Sequence, residues 1–443
     1  MTPSTPDVSA SSPRPHLAAA LGALSFLVIA ASGVGWWGER AERNAFPGML
    51  PLFAEPKEHA ESDHSNVAYI EHLKNQGIAI QQRGFERPDI LPLYGSSELV
   101  KRIPDKSSLF FRNFPTGFSV FPIGKAGTTP LIILEKVGAV GETVHGRKVA
   151  ISLSPSWFFP GPNPDHAYAG NFSRQQTFAA LLNPALSFGF KRDFAQRLLV
   201  HPATLQKEPL LRFLVARLAR GSHLDHAAFA AVWPLARLNQ EVYAAQDHFE
   251  SALFVKLFKN HLSHAPEVVP APLDWDALIA QASSDSGPAG PGARDPLGHK
   301  VMNDAAFREA VAYAPEWQDL ELLLRGLHEM GAMTLVLCMP PNGVYFEHSG
   351  VSKESLDLFA ARVRAIAVHY GAQVEAFEDH EEDVNFLVDH HDHMSAKGWM
   401  YYNRALDEFY HTAPEQLEAT FAKGHRKRLR ATPPPVPLRT VRK

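Results

Sequence analysis

Cysteine is almost missing from this chain of 443 residues: Cys338 is the single one, so no disulfide can close within the chain. It sits in the apolar run 334–339, where a buried structural thiol is expected, and it says nothing about compartment. An excess of either charge is missing too. Lys and Arg total 43 against 47 Asp and Glu, so no net field draws the chain to nucleic acid or to strongly acidic partners. Two local absences say more. Residues 17–37 (LAAALGALSFLVIAASGVGWW) carry no charge, and no acidic residue follows Glu418. The first run, about 21 residues at 1.5 Å rise each, matches a hydrocarbon core of about 30 Å. It exceeds the apolar core of a signal peptide, about 7–15 residues, and ends in Trp36-Trp37, Glu39, Arg40 and Arg43 with no small-x-small cleavage site. It reads as a retained single-pass anchor. Arg14 before it and Arg40 and Arg43 after it leave its orientation open. The basic, Pro-rich segment 413–443 reads as an unstructured tail, with contact to anionic lipid or polysaccharide as a second reading.

What is present divides the rest. Residues 1–16 form a short Ser/Pro-rich leader, and 38–87 are polar and mixed, a stalk with helical potential at 65–82. From 88 to 412 apolar runs alternate with amphipathic segments, the pattern of β-α units and a parallel sheet. Strands are expected at 90–94, 118–123, 148–153, 333–339 and 373–377, and helices at 130–139, 316–330, 353–370 and 395–411. Trp399, Tyr402, Leu406 and Phe409 recur at helical spacing and are expected in the core. An inserted helical subdomain occupies about 175–298, closing in the Gly/Pro/Ser-rich surface loop 283–298.

Two segments can carry chemistry. Gly95-Ser96-Ser97-Glu98 stands at the carboxyl end of a strand and the start of a helix, where an α/β fold places its active site. A hydroxyl there points into the cleft, although a turn with a capping serine would look the same. The second segment is Asp389-His390-His391-Asp392-His393, which offers a base and a carboxylate to orient it. Three histidines and two aspartates together also admit a metal site, but no second cluster of ligand spacing accompanies them.

The order LPLYGSSEL, FPIGKAG, SPSWFFPG with AGNFS, MPPNG and HMSAKGWMYYNRALDEFYH resembles the DltD family from about residue 88 to 411. That resemblance implies an SGNH-hydrolase-like (flavodoxin-like) α/β fold, a parallel sheet with helices on both faces, behind the N-terminal transmembrane helix. It implies a serine acyltransferase or esterase outside the cytoplasm, N-terminus inside, with no metal or other cofactor, taking part in D-alanylation of teichoic acid or of a Gram-negative surface polysaccharide or lipid. Implied partners are a membrane O-acyltransferase, a D-alanyl acyl carrier protein and the polymer acceptor. Carried over residue by residue, Ser97 takes the nucleophile position and His393 the base position. Gly124 and Gly127 stand where oxyanion-hole N–H groups lie, and Ser156 stands where the family more often has Gln. The acid of the family precedes the histidine by three residues; here that residue is His390, with Asp389 and Asp392 on either side. In an extended loop Asp392 faces away from the ring, so Asp389 is the assignment. The same residues would serve an exported esterase or O-acetyl-handling enzyme, and a non-catalytic scaffold that recruits the acyltransferase and carrier is the reading from another class.

Overall fold

The computed structural model describes residues 14–55, 64–101, 103–159, 164–262, 270–285, 303–389 and 393–417. The leader to residue 13, most of the loop 283–298 and the tail from 418 lie outside them, as do His390, His391 and Asp392.

Five strands form one sheet: β1 Ile90–Gly95, β2 Ser119–Gly124, β3 Lys148–Leu153, β4 Met333–Cys338 and β5 Gln373–Glu375. Every pairing is parallel and the order is β2-β1-β3-β4-β5, the flavodoxin-like doubly wound arrangement. Period-2 alternation splits the strands between two cores. Ile90, Tyr94, Ile151, Val336 and Cys338 face one. Leu91, Leu93, Ala150, Leu335 and Leu337 face the other. Helices cover both faces, so the strands are apolar throughout. Cys338 is buried, and burial pushes its thiol pKa up. Helix Ala396–His411 buries Trp399, Tyr402, Leu406 and Phe409 on the second face.

Helices fill the stretch between β3 and β4, and several pack onto the first face, with Phe178, Phe190, Phe194 and Leu214 in the same core as the strands. The segment expected as a stalk behaves differently from that expectation. Helix Arg14–Ala54 runs on past the apolar stretch without a break, and its Phe46, Met49, Leu52 and Phe53 are fully buried in the first core. Helices His64–Gln76 and Ile78–Glu86 add Ile70, Leu73, Ile80 and Phe85. Residues 38–55 and 64–87 are therefore part of the domain. Their polar residues misled because several are buried with partners far along the chain: Lys136 Nζ donates to Asn75 Oδ1 at 2.9 Å, and the fully buried Glu42 lies 2.9 Å from His248 Nδ1. The N-terminal part of Arg14–Ala54 is long and apolar enough to cross a membrane, and nothing in the fold buries it.

Candidate active site

The order of strands reverses at β1 and β3, which puts the crevice for a ligand at the carboxyl ends of these strands. Chain leaving β1 reaches the crevice through a tight turn. The Glu98 side chain folds back so that Oε1 accepts the Ser96 N–H at 2.8 Å, and the Leu99 N–H donates to the Ser96 carbonyl at 3.3 Å. Gly95 must be small here, since a Cβ would run into the Glu98 carboxylate and lie 2.9 Å from Leu99 Cδ1. Ser97 opens the short 3-10 turn Ser97–Val100.

His393 arrives from the other end of the chain. The Val388 N–H donates to the His393 carbonyl at 2.8 Å and Leu387 bridges Met394, which closes the loop between them. The following motif residues fix the exit. Met394 is buried, Ser395 Oγ caps the last helix by accepting the Gly398 N–H at 3.2 Å, and Lys397 Nζ pairs with Asp383 Oδ2 at 2.7 Å. A Cβ at Gly398 would lie 2.5 Å from the Phe386 carbonyl oxygen, so the close approach of helix and loop needs glycine.

Three side chains meet there. Ser97 Oγ lies 2.9 Å from His393 Nε2, and His393 Nδ1 lies 2.5 Å from Asp389 Oδ2. The His393 N–H also donates to Asp389 Oδ1 at 3.3 Å, so both carboxylate oxygens address the same histidine. Lys101 Nζ donates to Asp389 Oδ2 at 2.9 Å. Burial pushes the Asp389 carboxyl pKa up, but hydrogen bonds from His393 and Lys101 and their charges outweigh it and hold the group far below the usual carboxylate range. This arrangement can deprotonate a serine, keep the imidazole in one tautomer and stabilise an imidazolium.

The remaining sequence-derived residues stand at the same end of the sheet. Gly124 ends β2 opposite Gly95, and a Cβ on it would collide with the Gly95 carbonyl. Gly127 adopts φ +82° in a turn closed by the Thr128 N–H donating to the Lys125 carbonyl at 3.1 Å. Asn171 of the AGNFS segment braces that turn: its Nδ2 donates to the Ala126 carbonyl at 3.2 Å. Ser156 sits in the turn Pro155–Phe158 after β3, its hydroxyl 2.7 Å from that of Ser154. Among the described residues, no three His, Cys, Asp or Glu side chains are grouped to hold a metal ion.

Two neighbours escaped sequence reasoning. Lys101 has only a weak signal, a cation four residues after Ser97. Asn342, in the MPPNG segment, caps helix Gly343–His348 through its Oδ1 and donates from Nδ2 to the Asp389 carbonyl at 3.4 Å.

The family model described as DltD protein matches residues 68–411. The chain is 27% identical over 348 residues to "Protein DltD" of Bacillus subtilis, covering 76% of this chain and 86% of the relative. It is 24% identical over 342 residues to "Protein DltD" of Staphylococcus aureus, covering 75% and 83%. With "Protein DltD" of Lacticaseibacillus rhamnosus the identity is 22% over 376 residues, covering 80% and 83%.

Proposed function

The chain belongs to the DltD family, and from that premise we propose that it is a membrane-anchored serine acyltransferase acting outside the cytoplasm in D-alanylation of a cell-envelope polymer. The observation that carries this reading is the hydrogen-bonded chain Ser97–His393–Asp389 at the carboxyl end of β1. A purely recruiting protein has no need for a hydroxyl, a base and an orienting acid in line.

In the proposed reaction Ser97 Oγ attacks the carbonyl of an activated D-alanyl ester or thioester while its proton passes to His393 Nε2. The oxyanion rests on N–H groups at Ser97, Gly124 and Gly127, with the Ser156 hydroxyl as a further donor. Collapse breaks the bond to the donor, whose leaving oxygen or sulfur takes the proton from His393, and D-alanine remains as an ester on Ser97. A polymer hydroxyl then attacks, yields its proton to His393 and takes the acyl group, and the proton returns to Ser97. Asp389 stays ionised throughout and steadies the imidazolium. The cation of Lys101 on the same carboxylate favours that state.

The donor is handed over by a membrane O-acyltransferase working with a D-alanyl acyl carrier protein, and the acceptor is teichoic acid or a Gram-negative surface polysaccharide or lipid. Helix Arg14–Ala54 supplies the single membrane pass with residues 1–16 inside, which leaves the sheet and its site outside. The direct test is covalent trapping by a fluorophosphonate serine probe. Label should appear on the protein, persist in Ser96→Ala and vanish in Ser97→Ala. Undiminished label in Ser97→Ala would put the nucleophile elsewhere.

A further inference from the structure

Helix His223–Phe258 presents two apolar faces, and among the described residues only one of them is packed against the domain. Phe229, Ala236, Phe254 and Phe258 are buried against the domain. On a separate face Leu235, Leu238, Val242, Phe249, Leu253 and Leu257 are exposed to solvent. At 100° per residue these six fall within an arc of about 100° and extend along about 33 Å of helix. Asn239, Gln246, which pairs with Glu250 at 2.8 Å, and Lys256 are the polar interruptions of that arc. A contiguous apolar surface of that length on a soluble face marks an interaction site.

Its position says what covers it. The helix touches Arg14–Ala54 backbone to backbone at Gly38, where a Cβ would lie 2.5 Å from the His248 carbonyl oxygen. One turn further the contact is polar, with His248 Nδ1 2.9 Å from Glu42 Oε1. Gly38 is the residue directly after Trp36-Trp37, which are exposed and end the uncharged run, as aromatic residues do at a membrane–water boundary. The stripe therefore comes, at Phe249 next to His248, beside the point where the proposed anchor leaves the hydrocarbon.

We propose that helix His223–Phe258 lies in the lipid interface of the outer leaflet, with the Leu235–Leu238–Val242–Phe249–Leu253–Leu257 face in the headgroup and acyl boundary, as a second membrane contact of the domain. This rests on the reading of Arg14–Ala54 as an anchor. A bilayer fits better than a protein groove because the stripe lies beside the proposed anchor and its one charged residue, Lys256, sits at the edge of the arc, where a cation meets lipid headgroups, while Arg237 and Glu241, paired at 3.5 Å, lie on the neighbouring face.

The test uses the full chain, with Cys338→Ala to free the background of its thiol, one molecule per phosphatidylglycerol/phosphatidylcholine nanodisc. A nitroxide is placed through Phe26→Cys, Leu238→Cys, Phe249→Cys or Glu241→Cys, each checked for native circular dichroism. Labels at 238 and 249 should collide freely with oxygen and about tenfold less than the Glu241→Cys label with a water-soluble nickel chelate, as interfacial burial requires. Chelate access equal to that at 241, with the label at 26 still in lipid, overturns the proposal and leaves the anchor intact. Labels shielded from both reagents overturn it in favour of a cover supplied by the chain itself. Chelate access at 26 overturns the anchor reading itself.

Discussion

Lys101 Nζ and His393 Nδ1 converge on one atom, Asp389 Oδ2, at 2.9 Å and 2.5 Å. The carboxylate bonded to His393 is therefore also half of an ion pair with the first residue after the turn that holds Ser97. Lys101 belongs to the β1 end of the site and Asp389 to the C-terminal loop, so the bond ties the turn of Ser97 to the loop of His393 independently of the Ser97–His393 contact.

The consequence is a shift in pH response. The native Asp389 carboxyl is depressed, so the orientation it gives exists above its unfolded pKa and is lost only as pH falls through the lower folded value. Removing the Lys101 cation raises that folded value, so the acid limb of the Asp389 carboxyl's own titration, followed by NMR, should move to higher pH in Lys101→Met, with fluorophosphonate labelling as the readout of rate. Lys101 is partly exposed and water screens its charge, so the rate at neutral pH should fall by about tenfold or less. Lys101→Arg should restore the limb. A mere loss of folded protein would lower the amplitude without moving it.

Asp389→Asn should cost far more, about 10⁴-fold in labelling rate, because an amide cannot hold the imidazole in the required tautomer. Asp392→Asn should cost much less. A reversed ranking of the two rates would move the acid to Asp392.

Ser97→Ala should abolish D-alanyl ester in the envelope polymer while leaving protein abundance unchanged, since the Ser97 hydroxyl caps no helix and its bond to His393 contributes about 1 kcal/mol or less to stability. His393→Ala should give the same null, and the double variant should be no worse, because residues acting as one catalytic unit are not additive. Ester assays on the four strains decide this. Normal ester in Ser97→Ala would return the protein to a recruiting role.

Glu135 gives a stability test away from the site. Burial pushes its pKa up to about 7 against hydrogen bonds from Thr177 and Tyr168. The fold thus holds a proton there that the unfolded chain, with a carboxyl near 4.3, releases earlier, so this contribution is present at low pH and is lost as pH rises through about 7. Glu135→Gln keeps a polar partner for both hydroxyls without the titration. Its thermal midpoint should fall less steeply than that of the parent between about pH 4.5 and 7. An unchanged slope would mean that Glu135 is charged in the fold. Asp247, Glu316 and Glu381 are raised to about 7 in the same direction, so the slope should shrink and not disappear.

The sheet was legible because its signals are local. Strand β3 occupies 148–153 as expected, and the last helix differs from its expected start by one residue, since Ser395 is an N-cap and announces itself. Ser97, Asp389 and His393 could be named from motif and order. Their meeting depends on a parallel sheet that brings residues 296 positions apart within 2.9 Å, which no window of sequence displays. Residues 38–87 were misread for the opposite reason. Gln81, Arg83 and Glu42 look like surface, and each is nearly or fully buried beside a partner on another element: Gln81 Oε1 accepts from the Tyr94 hydroxyl at 3.1 Å, Arg83 lies 3.9 Å from Glu42, and Glu42 lies 2.9 Å from His248 Nδ1. Pairing of that kind is invisible to composition. The exposed stripe of His223–Phe258 was hidden by the same rule turned round, since apolar residues at helical spacing read as core until the fold leaves them uncovered.

The unbroken passage of helix Arg14–Ala54 into the core bears on how the proposed site would meet its substrates. On the proposed anchoring, a flexible leash would let the domain roam through a hemisphere of solvent, whereas a continuous helical strut would fix its elevation and tilt above the bilayer. The proposed donor and acceptor would then find Ser97 by diffusion within a plane, and effective concentration would depend on whether they present their reactive groups at that one elevation. A polymer threaded past such a turret would be modified only on the segment lying at its height.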